Sequence, residues 1–142
     1  MIEGWHGENY LILFDEAEVA SASDRYAISQ CLPGYEVIGL RGWDNFIVRN
    51  SVGEAYSVPT VPVVPEHLWP FSLPAETSGL RADERFSGKI KWYAKPIVFG
   101  GDPSLGENVI WVSHEEHTQL VRYWNTLYRW VKGQPTTPGS RR

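Results

Sequence analysis

Leu120, Trp124, Leu127, Tyr128 and Val131 recur at three- and four-residue spacing, an apolar stripe that predicts an amphipathic helix over 113–132. The ends agree with the pattern. Ser113 followed by Glu116 makes a capping box, Glu115 adds acid to the first turn, Arg129 and Lys132 add base to the last, and Gly133 suits the closing position. On this phase Gln119, Arg122, Asn125 and Arg129 face away from the core.

Short apolar or alternating runs dominate the rest of the chain. The segments 9–14 (NYLILF), 35–40 (YEVIGL), 44–49 (DNFIVR) and 54–58 (EAYSV) read as strands, separated in the last three cases by the turn chemistry of Arg41-Gly42 and of 50–53. Between the first two runs, 15–31 carries Ala17, Ala20, Ala22 and Ala27 among Glu18, Asp24 and Arg25. That composition suits helix, with Ser21 and Ser23 as points of interruption and Pro33-Gly34 as the stop. Five prolines between 59 and 74 forbid long regular structure, but Val61, Val63, Leu68, Trp69 and Phe71 make this segment an apolar clamp across the sheet, with a helical turn opened by Pro65. After a polar stretch at 77–87, the segments 89–93 (KIKWY), 96–99 (PIVF) and 108–112 (NVIWV) read as strands, with a turn at 100–103.

The fold class expected is therefore α+β: an antiparallel sheet of short strands packed against an N-terminal helix and a long C-terminal amphipathic helix. A chain of 142 residues fits one domain, placed at 1–132, and the polar stretch 133–142 reads as a disordered tail.

Charge and cysteine usage narrow the partners. Thirteen Lys and Arg against seventeen Asp and Glu give −4, which argues against a surface that neutralises phosphates and favours a basic protein over nucleic acid. No apolar run approaches the roughly 20 residues of a membrane span, and the N-terminus lacks a basic start leading into an apolar stretch, so neither membrane nor export is expected. Cys31 is the lone cysteine, which excludes an intramolecular disulfide and fits a cytoplasmic location; near a helix C-terminus it reads as a small core residue.

Catalytic motifs do not assemble from the pattern. His114 and His117 are three apart, not the four of the H-E-x-x-H zinc motif, with Asp102 or His67 as the only ready third ligands. They define one alternative, a small metal- or histidine-dependent hydrolase using His114, His117 and Asp102. Gly100-Gly101-Asp102 reads as a turn in which Asp102 bonds nearby backbone, not as a phosphate cradle. Seven tryptophans offer another alternative, a carbohydrate-binding module. Period assigns Trp124 and Trp111 to the core, whereas Trp43, Trp69 and Trp130 are the candidates for the surface. With Asp15, Glu16 and Glu18 they form the expected partner-binding set; no cofactor and no catalytic residue is expected.

The second half, KWYAKPIVFGGDPSLGENVIWVSHEEH, resembles the SUKH superfamily in its strand, its Gly100 to Asp102 turn, its strand carrying Trp111 and its following helix. Many members of that superfamily are bacterial immunity proteins. The resemblance implies an α+β domain that neutralises a cognate toxin by direct binding, without chemistry of its own.

Overall fold

The computed structural model describes residues 1–133. The chain begins with a hairpin, β1 (Ile2–His6) and β2 (Asn9–Leu13), turned at Gly7 in the left-handed region. Two helices follow, α1 (Glu16–Arg25) and α2 (Ile28–Cys31), then β3 (Glu36–Arg41), β4 (Asn45–Arg49), β5 (Ala55–Pro59) and the two-residue β6 (Trp69–Pro70). These strands form a six-stranded sheet in sequence order, each antiparallel to the next. A separate ribbon pairs β7 (Ile90–Tyr93) with β8 (Val109–Val112), and α3 (His114–Gly133) closes the described chain. The α+β architecture matches the expectation from pattern. The tail expected at 133–142 starts inside α3, and its remaining positions lie outside the described residues.

Alternation along the strands sorts the sheet into two faces. Tyr10, Ile12, Val37, Leu40, Phe46, Val48 and Val58 join the main core with Ala22 and Tyr26 of the first helical stretch, Ile90 and Trp92 of the ribbon, and Val121 of α3. On the other face Leu11, Ile38 and Ile47 are covered by Phe71 and Leu80 from the long connection after β6. The clamp expected from the prolines divides between the two faces, with Val61, Val63 and Leu68 on the main core and Phe71 on the other. Its 3₁₀ turn at Pro65–His67 does open with proline at the first position.

Several elements depart from the sequence pattern. β1 was not expected, because IEGWH has little apolar periodicity; its pairing is fixed by β2 and by Trp5, which exchanges backbone hydrogen bonds with Arg81 at 2.8 and 3.1 Å. A Cβ at Gly4 would lie 2.7 Å from the Arg81 carbonyl carbon, so only glycine admits that approach. The N-terminal helix breaks at Ala27, which is left-handed (φ 54°), and not at the serines. Ser23 Oγ instead accepts the Val37 N–H at 2.9 Å, and Tyr26 at the break drops into the core against Phe46. The strand expected at 96–99 is a 3₁₀ turn, Ile97–Phe99. Pro96 cannot donate to a ladder, the amides of Phe99 and Gly101 both return to the Pro96 carbonyl, and Gly100 closes the turn at φ 94°.

The largest departure is the phase of α3. Its capping box forms as expected, with Ser113 N–H to Glu116 Oε1 at 2.9 Å and Glu116 N–H to Ser113 Oγ at 3.1 Å. The deepest stripe, however, is His117, Val121 and Asn125, while Leu120 and Trp124 are only partly buried and Val131 is exposed. Asn125 turns inward because it has polar work there: Oδ1 accepts the Val63 N–H at 2.7 Å, and Nδ2 donates to the carbonyls of Thr60 at 2.6 Å and Val121 at 2.9 Å. Asn125→Ala leaves the buried amide and carbonyl of the proline segment unpaired and is expected to cost about 2–3 kcal/mol. The check is the urea midpoint of unfolding against the wild type.

Candidate functional site

The same proline segment forms one wall of a groove of about 330 Å³. Pro59, Thr60, Val61 and Pro62 line that wall, Pro96, Ile97 and Val98 the opposite one, with Trp92 and Tyr93 of β7 between them and Asp44, Asn45, His67 and Lys91 supplying the polar groups. Each wall is anchored from behind. Asn125 holds the proline wall, and Thr60 also donates its N–H at 3.0 Å to the Asp44 carbonyl. On the other wall Phe99 packs against Trp124 and Tyr128 of α3, with ring centroids 5.0 and 6.4 Å apart, which leaves Ile97 and Val98 50% and 44% exposed at the rim.

Asp44 is the groove's acid. Asn45 Nδ2 steadies its Oδ1 at 2.9 Å, and no cation stands within ion-pair distance of it among the described residues. The residue is open to solvent along the groove, yet protein atoms crowd its carboxyl, and this burial raises its pKa. Lys91 Nζ lies 5.3 Å from the centre of the Tyr93 ring, a cation–π contact.

The residues expected to meet a partner are not brought together. Asp15 caps α1, with the Glu18 N–H on its Oδ1 at 2.8 Å and its own N–H on Glu18 Oε1 at 2.9 Å. Glu16 receives both terminal nitrogens of Arg49 at 2.8 Å, and Arg49 Nε reaches Glu36 at 3.0 Å. Asp15 and Glu16 are exposed and Glu18 half-buried, and all three are also engaged within the chain. Trp43, expected at the surface, is a correction: it is 9% exposed, held at φ 67° in the turn between β3 and β4. The indole stacks on Tyr10 at 5.0 Å and meets Trp5, Phe86 and Trp111 edge-on, so core packing rewards a backbone conformation that bulky residues avoid. Trp111 departs in the opposite sense; it is 41% exposed and stacked on Phe86. Trp69 on β6 and Trp130 on α3 are exposed, and neither lines the groove.

The groove residues themselves carried no sequence signal as a set. Proline density marked one wall as apolar, and Pro96 could have marked the end of β7, but the pairing of the walls depends on α3.

The three residues of the alternative hydrolase do not converge. Asp102 lies in a turn, accepting the Ser104 N–H at 2.9 Å and its hydroxyl at 2.6 Å. Among the described residues no three His, Cys, Asp or Glu side chains gather as a metal site. His117 is fully buried, with Nδ1 2.7 Å from Tyr26 Oη, its ring edge-on to Trp92, and Nε2 without a partner. Burial pushes its pKa down to about 3 and lowers that of His114 as well. Cys31 is half-buried and receives Arg129 Nη1 at 2.9 Å; burial pushes its thiol up. No helix among the described residues is long and apolar enough to cross a membrane.

A histidine held neutral in the core makes stability depend on pH. Between about 3 and its ordinary value of 6.5, His117 binds a proton in the unfolded chain but not in the folded one. Stability is therefore fully present above pH 6.5 and falls as pH is lowered through that window. From pH 7 to pH 5 the expected loss from this group is about 2 kcal/mol. His117→Gln should remove most of that dependence in urea denaturation at the two pH values; an unchanged slope would assign it elsewhere. Comparison of the chain with protein-family models, with curated proteins and with solved structures finds no match in any of the three.

Proposed function

We propose that the chain is a non-catalytic binding domain that recognises another protein through the groove between the proline segment and the Ile97–Phe99 turn. One observation carries this reading: the apolar surface does not stop at the cavity but continues over a rim where Ile97 and Val98 stand half exposed. A small ligand gains most from enclosure, whereas an apolar depression with an exposed apolar rim matches the centre of a protein interface, where a few anchors seat in pockets. Ile110 on β8 adds a further exposed apolar side chain from the ribbon that carries the groove floor.

The resemblance to SUKH proteins sharpens the proposal to an immunity protein that neutralises a cognate toxin by direct binding in the cytoplasm, where Cys31 would stay reduced. The hydrolase alternative loses support because His117 is enclosed by the core while Asp102 is occupied in its own turn.

The expected outcome is a one-to-one complex on size-exclusion chromatography with a cognate toxin domain. Ile97→Asp should weaken that complex by tenfold or more, about 1.4 kcal/mol, while the melting temperature of the free protein is held. Wild-type affinity in this variant would move the interface off the groove, and absence of a complex would overturn the immunity reading.

A further inference from the structure

Resting on the proposal that the groove is the interface, we infer that its occupant is a lysine or arginine side chain of the partner, its stem along the apolar walls and its cation on Asp44. Asp44 is the one carboxylate among the residues that line the groove, and no ion pair within the described residues includes it. Its backbone is fixed by the Thr60 N–H and hydroxyl, at 3.0 and 3.3 Å from its carbonyl, and its carboxyl is steadied by Asn45. The acceptor is therefore built in place before a partner arrives.

Access supplies the second part of the argument. Asp44 is exposed, so an arriving cation can reach its carboxyl, and the protein atoms packed beside that carboxyl raise its pKa. The walls supply the third. Pro59, Val61, Pro62, Pro96, Ile97 and Val98 offer hydrocarbon and few donors, a lining that suits the methylene stem of a long cationic side chain better than a polar one.

Lys91 lines the same groove and opposes a guest cation. Its ammonium stands outside ion-pair distance of Asp44 and beside the Tyr93 ring, so it repels at longer range while the guest pairs at contact distance. Removal of Lys91 should accordingly strengthen binding, a sign that a purely apolar groove would not show.

The test is a titration of the isotope-labelled full chain, followed by amide chemical shifts, with two capped tripeptides: Ile-Arg-Ile and the neutral isostere Ile-citrulline-Ile. The arginine peptide should shift the amides of Asn45, Thr60, Ile97 and Val98 and bind at least tenfold more tightly than the citrulline peptide, with Kd in the millimolar range expected of a single side chain. Asp44→Asn should abolish the difference, Lys91→Ala should enlarge it, and both variants should keep the wild-type spectrum elsewhere. Equal binding of the two peptides, or no groove shifts with either up to about 10 mM, overturns the inference. Equal binding alongside loss of the toxin complex in Ile97→Asp removes the charge selection and leaves the groove as the interface; retention of the complex in Ile97→Asp removes both.

Discussion

Asn125 sets the geometry on which the rest depends. The segment after β5 leaves the sheet edge at Pro59, and its prolines cannot donate backbone hydrogen bonds, so the segment cannot continue as a ladder strand. Its remaining amide and carbonyl groups are nevertheless buried and need partners. A side-chain amide is suited to that task because it carries both donors and an acceptor, and Asn125 uses them on Thr60 and Val63 from the inner face of α3. The helix is thereby turned so that His117 and Asn125, with Val121 between them, point into the protein. A polar pair on the deepest stripe of the longest helix follows from the proline segment it must satisfy.

That dependence also explains which parts of the fold were legible. Capping at Ser113 and Glu116, the meander β3 to β5 and the ribbon strands are set by local chemistry, and their residues carry it openly. The phase of α3 is not local. Leu120, Trp124, Leu127 and Tyr128 form a convincing apolar stripe beside the true one, and a binary pattern counts Asn125 as solvent-facing because nothing in its neighbourhood reveals the Thr60 carbonyl, 65 residues earlier in the chain. The groove was hidden for the same reason: residues of α3 anchor both its walls, Asn125 one and Trp124 and Tyr128 the other. β1 was hidden because its pairing with β2 and with Arg81 substitutes for hydrophobic periodicity.

Within the expected partner-binding set Trp69 and Trp130 are exposed, Trp43 is buried, and the acids also bond within the chain. Asp15 and Glu18 are spent on the first turn of α1, and Glu16 joins Arg49 and Glu36 across α1, β4 and β3. Such exposed pairs add little to stability individually, but they leave no carboxylate in that cluster free of a nearby cation or donor. Trp43 shows the converse for aromatics. A tryptophan beside a turn glycine looks exposed in sequence, yet the left-handed backbone there aims its ring inward, onto Tyr10.

The groove proposed as the interface and the core meet at α3 but use opposite sides of the walls it holds. Asn125 grips the proline segment from within, and Phe99 is drawn onto Trp124 while Ile97 and Val98, its neighbours in the same 3₁₀ turn, point outward. A turn of that kind cannot bury all its side chains at once, because three residues per turn distribute them around the axis. Seating Phe99 on the helix therefore requires its neighbours to face elsewhere, and with the proline wall fixed at the same helix they face the groove. An exposed apolar rim that would ordinarily be a liability is in this arrangement a consequence of rigidity, and a preorganised rim loses less entropy on binding than a mobile one. The acid at the base of the proline wall is fixed by the same chain of contacts, since Thr60 is bonded to Asp44 on one side and to Asn125 on the other.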